Sequence, residues 1–233
     1  MEKIKLITKE SLVHVKNPFC ESIVDYLTDN TFVFDKGKIY GIICEHGCGG
    51  DAISAIMSNY VTCKTAEVHI DDVKATALDV KNLGWYLGSP IYTNGLIKRE
   101  RSVKKALKYA IKKYHRYECL EDVIDEFHLK TDRLEYGISK YSGEKWRASL
   151  AVGYVSNKKV YCFPWLNTIH IYNCLVNSVI YSFFKKMKDE GCIIIVPTSR
   201  CENVAGFADE IIELRDTRFE HVISENEYFK QYY

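Results

Sequence analysis

The stretch Ile39-Tyr40-Gly41-Ile42-Ile43-Cys44-Glu45-His46-Gly47-Cys48-Gly49-Gly50-Asp51-Ala52-Ile53 holds the residues whose types and spacing come nearest to a chemistry. A short apolar run reads as a buried strand, a glycine-rich turn follows, and Ala52, Ile53, Ile56 and Met57 then recur at helical spacing. That layout suits phosphate. Glycines let backbone N–H groups crowd around phosphate oxygens, and the helix N-terminus adds its positive dipole end. The spacing G-x-x-x-x-G-K-[ST] would complete the site with a lysine on the terminal phosphates and a hydroxyl on Mg²⁺. Here Cys44 stands at the first glycine position, Gly50 at the lysine and Asp51 at the hydroxyl. Gly47, Gly49, Gly50, Asp51 and Ala52 are the candidate nucleotide-binding residues of a frame that lacks its cation. The competing reading is a plain glycine turn between strand and helix, capped by Asp51. In both, the Asp51 carboxylate is expected to accept the N–H groups that phosphate would use.

The elements that must position this loop come from a chain of 233 residues, 47% hydrophobic and 27% charged, with net charge +1. That length supports one globular unit or two closely packed subdomains. Near-neutral charge argues against nucleic acid as a partner, because phosphate backbones select a basic surplus. No secretory leader is evident, and no apolar run is long enough to span a membrane, so direct membrane insertion is not expected. Nine cysteines without regular spacing read as reduced thiols of a cytosolic protein. Cys44, His46 and Cys48 lack a fourth ligand from a second knuckle, so no metal site is expected.

Along the chain, residues 3–16 read as two short strands separated by Lys9-Glu10-Ser11, and residues 18–30 are ambiguous. Thr31-Phe32-Val33-Phe34 alternates as a strand, Asp35 to Lys38 turns, and the helix after the glycine loop runs to about Tyr60. Ala66 to Ile70 and Leu83 to Leu87 are strand candidates. Val103, Ala106, Leu107, Ala110, Ile111 and Tyr114 mark one face of a helix whose other positions are rich in lysine, a pattern of a solvated surface. Leu120, Val123, Ile124 and Phe127 mark a second. Val160 to Phe163 reads as a buried strand. Val176, Val179, Ile180, Phe183, Phe184 and Met187 predict one long amphipathic helix, stopped by Gly191. Ile193 to Val196 and Ile211 to Leu214 are strands, the latter turning at Asp216-Thr217 into Arg218 to Val222. Strands alternating with helices imply a mainly parallel sheet with helices on its faces.

In this order the chain, from about Leu12 onward, resembles the nucleotide-binding subunit of an ATP-binding cassette (ABC) transporter. Asp35-Lys36-Gly37-Lys38-Ile39-Tyr40-Gly41 is similar to the family's lead-in to its P-loop. Leu83 to Gly88 resembles the strand ending in the glutamine loop, with Gly88 in place of glutamine. Tyr141-Ser142-Gly143-Glu144-Lys145-Trp146-Arg147 resembles the Leu-Ser-Gly-Gly-Gln signature: Ser142, Gly143 and Arg147 match, while Glu144 and Lys145 replace glycine and glutamine. Val160 to Phe163 followed by Pro164-Trp165 resembles the Walker B strand, which should end in Asp-Glu. Ile194 to Arg200 resembles the switch segment, with Ser199 in place of histidine. Ala208 to Asp216 is similar to the closing strand pair.

The resemblance implies an α/β P-loop NTPase fold, ABC ATPase-like, with a small antiparallel β subdomain. Residues 1–94 and 156–233 would form the core, and 95–155 an inserted helical subdomain carrying the signature-like segment. It also implies that no residue is catalytic. In working members, the glutamate after Walker B and the switch histidine act on the attacking water, and here those places hold Trp165 and Ser199. ATP and Mg²⁺ would be held, if at all, at a composite site with a partner. The family packs head to tail, one P-loop against the other signature, so Ser142 and the N–H groups after it would face a partner's γ-phosphate, with Glu144 opposing. The expected function is a hydrolysis-deficient subunit that pairs with a competent ABC ATPase and couples to a membrane permease, an exporter, from the cytoplasmic side of the membrane. The alternative is a scaffold or regulator that uses the fold to bind proteins.

Overall fold

A computed structural model of the chain describes residues 1–19, 22–93, 99–141 and 143–215. In chain order the elements are β1 (Lys3–Thr8), β2 (Ser11–Val15), β3 (Ile23–Leu27), β4 (Asn30–Asp35), β5 (Ile39–Ile43), α1 (Gly50–Met57), β6 (Ala66–Ile70), β7 (Val73–Lys74), α2 (Ala77–Leu83) and β8 (Gly84–Tyr86). They continue with α3 (Val103–Tyr114), α4 (Leu120–Glu126), α5 (Lys145–Val155), β9 (Val160–Cys162), α6 (Thr168–Ile171), α7 (Phe184–Asp189), β10 (Ile193–Thr198) and β11 (Glu210–Glu213).

Five strands form a wholly parallel sheet in the order β11-β5-β10-β9-β8. Parallel strands covered on both faces read as near-continuous apolar runs, and β10 is buried at all six positions. Successive residues of these strands enter different cores. Tyr40, Ile42, Ile193 and Ile195 pack on the α1 side, whereas Ile39, Ile194 and Val196 pack with α3, α4, α5 and α7. An antiparallel sheet, β4-β1-β6-β7, closes over the α1 side. Its strand β1 buries Ile4, Leu6 and Thr8 in strict alternation, as a half-covered strand should. The hairpin β2–β3 stands apart as a two-stranded unit with Val13 paired to Asp25. The α/β P-loop architecture expected from the element order is the one observed.

Between β8 and β9 the named elements are helices. Helix α3 begins at Ser102, whose hydroxyl accepts from Lys105 N–H, and it buries Val103, Ala106, Leu107 and Ala110 against α5. Two readings are corrected. Helix α1 ends at Met57, short of Tyr60, because Asn59 takes a left-handed φ of 52°. The long helix through Val176 to Met187 does not form. A π turn (Tyr172–Val176) follows α6, Val179 adopts φ 57°, and a 3₁₀ turn (Ile180–Phe183) leads into α7. At about 100° per residue, an unbroken helix would place Cys174 and Leu175 roughly 110–150° away from the mean direction of Ile180, Phe184 and Met187. The break rotates all five into the core, and it leaves Val176 and Val179 exposed. Helix α2 is not among the elements expected from the sequence pattern, although Thr76 and Asp79 form a capping box at its start. The segment Arg218 to Val222 lies outside the described residues. Among the described residues no helix is long and apolar enough to cross a membrane.

Candidate functional site: a glycine loop filled from within

Strand β5, held between β10 and β11, delivers the chain into the glycine loop and α1. The loop 44–52 contains no lysine or arginine. Its backbone donors face an anion all the same. Asp25, on β3, accepts from Gly49 N–H at 2.7 Å through one oxygen and from Ala52 N–H at 2.7 Å through the other. Tyr26 N–H donates to the Gly47 carbonyl at 3.0 Å, fixing the hairpin edge along the loop. Asp25 is fully buried, and burial pushes its carboxyl up to about 6 against the pull of the two N–H donors.

The expectation that Asp51 caps its own helix is therefore corrected. Gly49 is the N-cap, and Asp51 lies two residues further on, with its carboxylate turned away from the loop donors. Asp51 is 1% exposed and accepts from Asn17 Nδ2 at 3.0 and 2.9 Å, from the Tyr86 hydroxyl at 3.0 Å and from Trp165 N–H at 2.9 Å. Burial raises its carboxyl, and these donors offset part of that rise. Asp51 thus ties α1 to three places: the 16–19 loop, β8 and the end of β9.

That end of β9 carries Pro164, buried, and Trp165. The Trp165 indole N–H donates to the Cys44 carbonyl at 2.9 Å, and its ring meets His46 edge-on at 4.9 Å. A Cβ on Gly50 would lie 2.7 Å from Cys44 Sγ, 2.8 Å from Pro197 Cβ and 3.4 Å from the Trp165 ring, so the lysine position has no room for a side chain. Ser199 is half-buried just beyond β10, after Thr198, whose hydroxyl donates to the Leu166 carbonyl.

On the signature side, Ser142 lies outside the described residues. Gly143 is exposed, and Glu144 is the N-cap residue of α5. Its carboxylate is paired with Arg147 at 2.7 Å, so the opposition expected from Glu144 is neutralised locally. Gly88 sits at φ 77°, where a Cβ would lie 2.6 Å from the Trp146 ring. Its place in the structure is thus a close approach that glycine alone permits. Lys145 donates to the Pro18 carbonyl at 3.1 Å, and Phe19 stacks on His170 at 3.8 Å and on Trp146 at 5.0 Å. A cavity of about 580 Å³ opens beside these residues, with Lys130, Arg133, Lys145 and Arg147 among its lining.

The loop, the ends of β9 and β10, and Gly88 are thus arranged along one edge of the parallel sheet, but the site does not fit ATP with Mg²⁺. The N–H groups of Gly49 and Ala52 are taken by Asp25, no cation reaches the loop from within it, and the Asp51 oxygens are filled by three protein donors. Among the described residues, no group of three or more His, Cys, Asp or Glu side chains converges as a metal site. Sequence reasoning missed Asp25, Asn17, Phe19, Tyr86 and His170. A signal for Asp25 existed: Ile23, Asp25 and Leu27 share the inward phase of β3, and a carboxylate in that phase needs a buried partner.

No family model matches the chain, and no curated protein sequence matches it. Solved structures do. An ATP-binding subunit of an ABC transporter superposes with a TM-score of 0.63 at 15% identity, covering 91% of this chain and 85% of that one. A dimeric bacterial ABC transporter cassette gives 0.62 at 17% identity, covering 91% and 94%. The cbiO1 protein of Clostridium perfringens, part of the ABC transporter complex cbiONQ, gives 0.59 at 13% identity, covering 99% and 94%. The chain therefore has the fold of the ABC transporter ATP-binding subunits.

Proposed function

We propose that this chain is a hydrolysis-deficient cassette subunit that pairs with a competent ABC ATPase and couples it to a membrane permease, an exporter, from the cytoplasmic face. The observation that carries this reading is the Asp25 carboxylate seated on the loop N–H groups of a chain with the fold of the ABC transporter ATP-binding subunits. A site filled by a protein carboxylate cannot cradle a phosphate on the same donors. The places of the general base hold Trp165 and Ser199, neither of which can accept a proton from water near neutral pH. The signature side supports pairing. Beside the paired Glu144 and Arg147, its cavity is lined by Lys130, Arg133 and Lys145, so a phosphate held by a partner would meet a favourable field there.

The test is the ATPase activity of the complex purified from the native host through this chain. A competent cassette ATPase and a polytopic membrane protein are expected to come with it. Ser142→Asp is expected to lower the complex's activity at least tenfold, because it sets a carboxylate against the partner's phosphate. Unchanged activity with unchanged melting of the isolated chain would remove the claim that this subunit completes a partner's site.

A further inference from the structure

We propose that Asp25 is the resident anion of the glycine loop, and that the β2–β3 hairpin with its 17–19 strap closes the phosphate cradle from within. The chain is then its own ligand. The geometry is that of an anion site in use. Two oxygens of one carboxylate each take one N–H at the start of α1, both at 2.7 Å and both out of water. Charge-assisted bonds of this kind are short, and the positive end of α1 favours the negative group.

The hairpin is held in place by more than Asp25. Tyr26 N–H bonds the Gly47 carbonyl, and Asn17 grips both Asp51 oxygens. Beyond Asn17 the strap reaches the helical side: Pro18 receives Lys145, and Phe19 lies on His170 and Trp146. One short segment thus joins α1, the start of α5 and α6. Any phosphate entering the loop must first lift Asp25, which strands its carboxylate and loosens these contacts together. Occlusion and the joining of core to helical block are one device.

This inference deepens the reading above without needing a partner, and the two fail separately. The test is thermal unfolding of the full chain at matched ionic strength in chloride, formate or inorganic pyrophosphate. The wild-type protein is expected to melt at one temperature in all three, since its cradle is taken. Asp25→Ala is expected to melt several degrees lower in chloride and to regain at least half of that loss in formate, a carboxylate small enough for the vacated space. An Asp25→Ala protein that melts like wild type, or that formate does not help, overturns the proposal. So does pyrophosphate stabilising the wild type as much as the variant. Should Asp25→Ala fail to fold, amide exchange of the wild type decides. The Gly49 and Ala52 amides are expected to stay protected and unchanged on adding pyrophosphate, and any slowing of their exchange by pyrophosphate overturns the proposal. Failure here would remove the support that Asp25 gives to hydrolysis deficiency and leave pairing to the Ser142→Asp test, and failure of pairing leaves the internal ligand standing.

Discussion

At the scale of the residue, the site is decided by two buried carboxylates with different tasks. Asp25 fills the loop, and Asp51 ties α1 to its surroundings. Burial holds Asp25 above its ordinary value of 3.8, up to about 6, with the Asp51 carboxylate adding repulsion and His46 opposing it. A raised carboxyl contributes stability fully below about pH 3.8, and the contribution fades as pH rises through about 6. The rise corresponds to about 3 kcal/mol. Exposed carboxylates such as Glu67, Asp71 and Asp72 are pulled down by cations and backbone donors, so their slope has the opposite sign. The measurement must therefore be a difference. Denaturant unfolding of wild type and Asp25→Asn is expected to show the wild type losing about 2–3 kcal/mol relative to the variant between about pH 4 and pH 7. Parallel profiles would mean that Asp25 is not buried against the loop.

At the scale of the element, the segment from α6 to α7 departs most from its sequence pattern. Its apolar residues exceed one helical face, and the chain resolves the conflict by breaking. The cost is concentrated at Val179, a β-branched residue at φ 57° and 40% exposed. A left-handed conformation costs an L-residue about 1–2 kcal/mol, part of which glycine recovers before its own entropy is counted. Val179→Gly is expected to stabilise the chain by about 0.5–1 kcal/mol, read as a melting temperature about 1–4 °C higher. A drop in stability would show that the Val179 side chain packs against something that offsets its strain.

At the scale of the whole molecule, the parallel sheet separates two cores, and the hairpin with its strap bridges them at the edge where the loop opens. A symmetric pair closed by two nucleotides would require two open cradles, and each copy fills its own. Sizing chromatography of the purified chain is expected to give the same elution with and without Mg-ATP, and no turnover above background. A nucleotide-dependent shift to a dimer would contradict the occlusion.

The sequence by itself determined the frame. The apolar runs at Ile39 to Ile43 and Ile193 to Val196 have the length and composition of strands covered on both faces, and glycines between such a strand and a helix start favour a turn. It also determined what is missing, since no lysine occurs in the loop and no carboxylate follows Val160 to Phe163. Local pattern carries these facts because they depend on neighbours within a few residues. What fills the vacancy was decided only by the tertiary structure. Asp25 lies 24 residues before Gly49, and their meeting depends on how a separate hairpin docks on the loop. Asp51 sits where a cap is plausible by residue type, yet Asn17, Tyr86 and Trp165 draw its carboxylate elsewhere from three distant parts of the chain. Hydrogen-bond competition among groups far apart in sequence has no signature in spacing, because it is settled by which donors packing brings within reach.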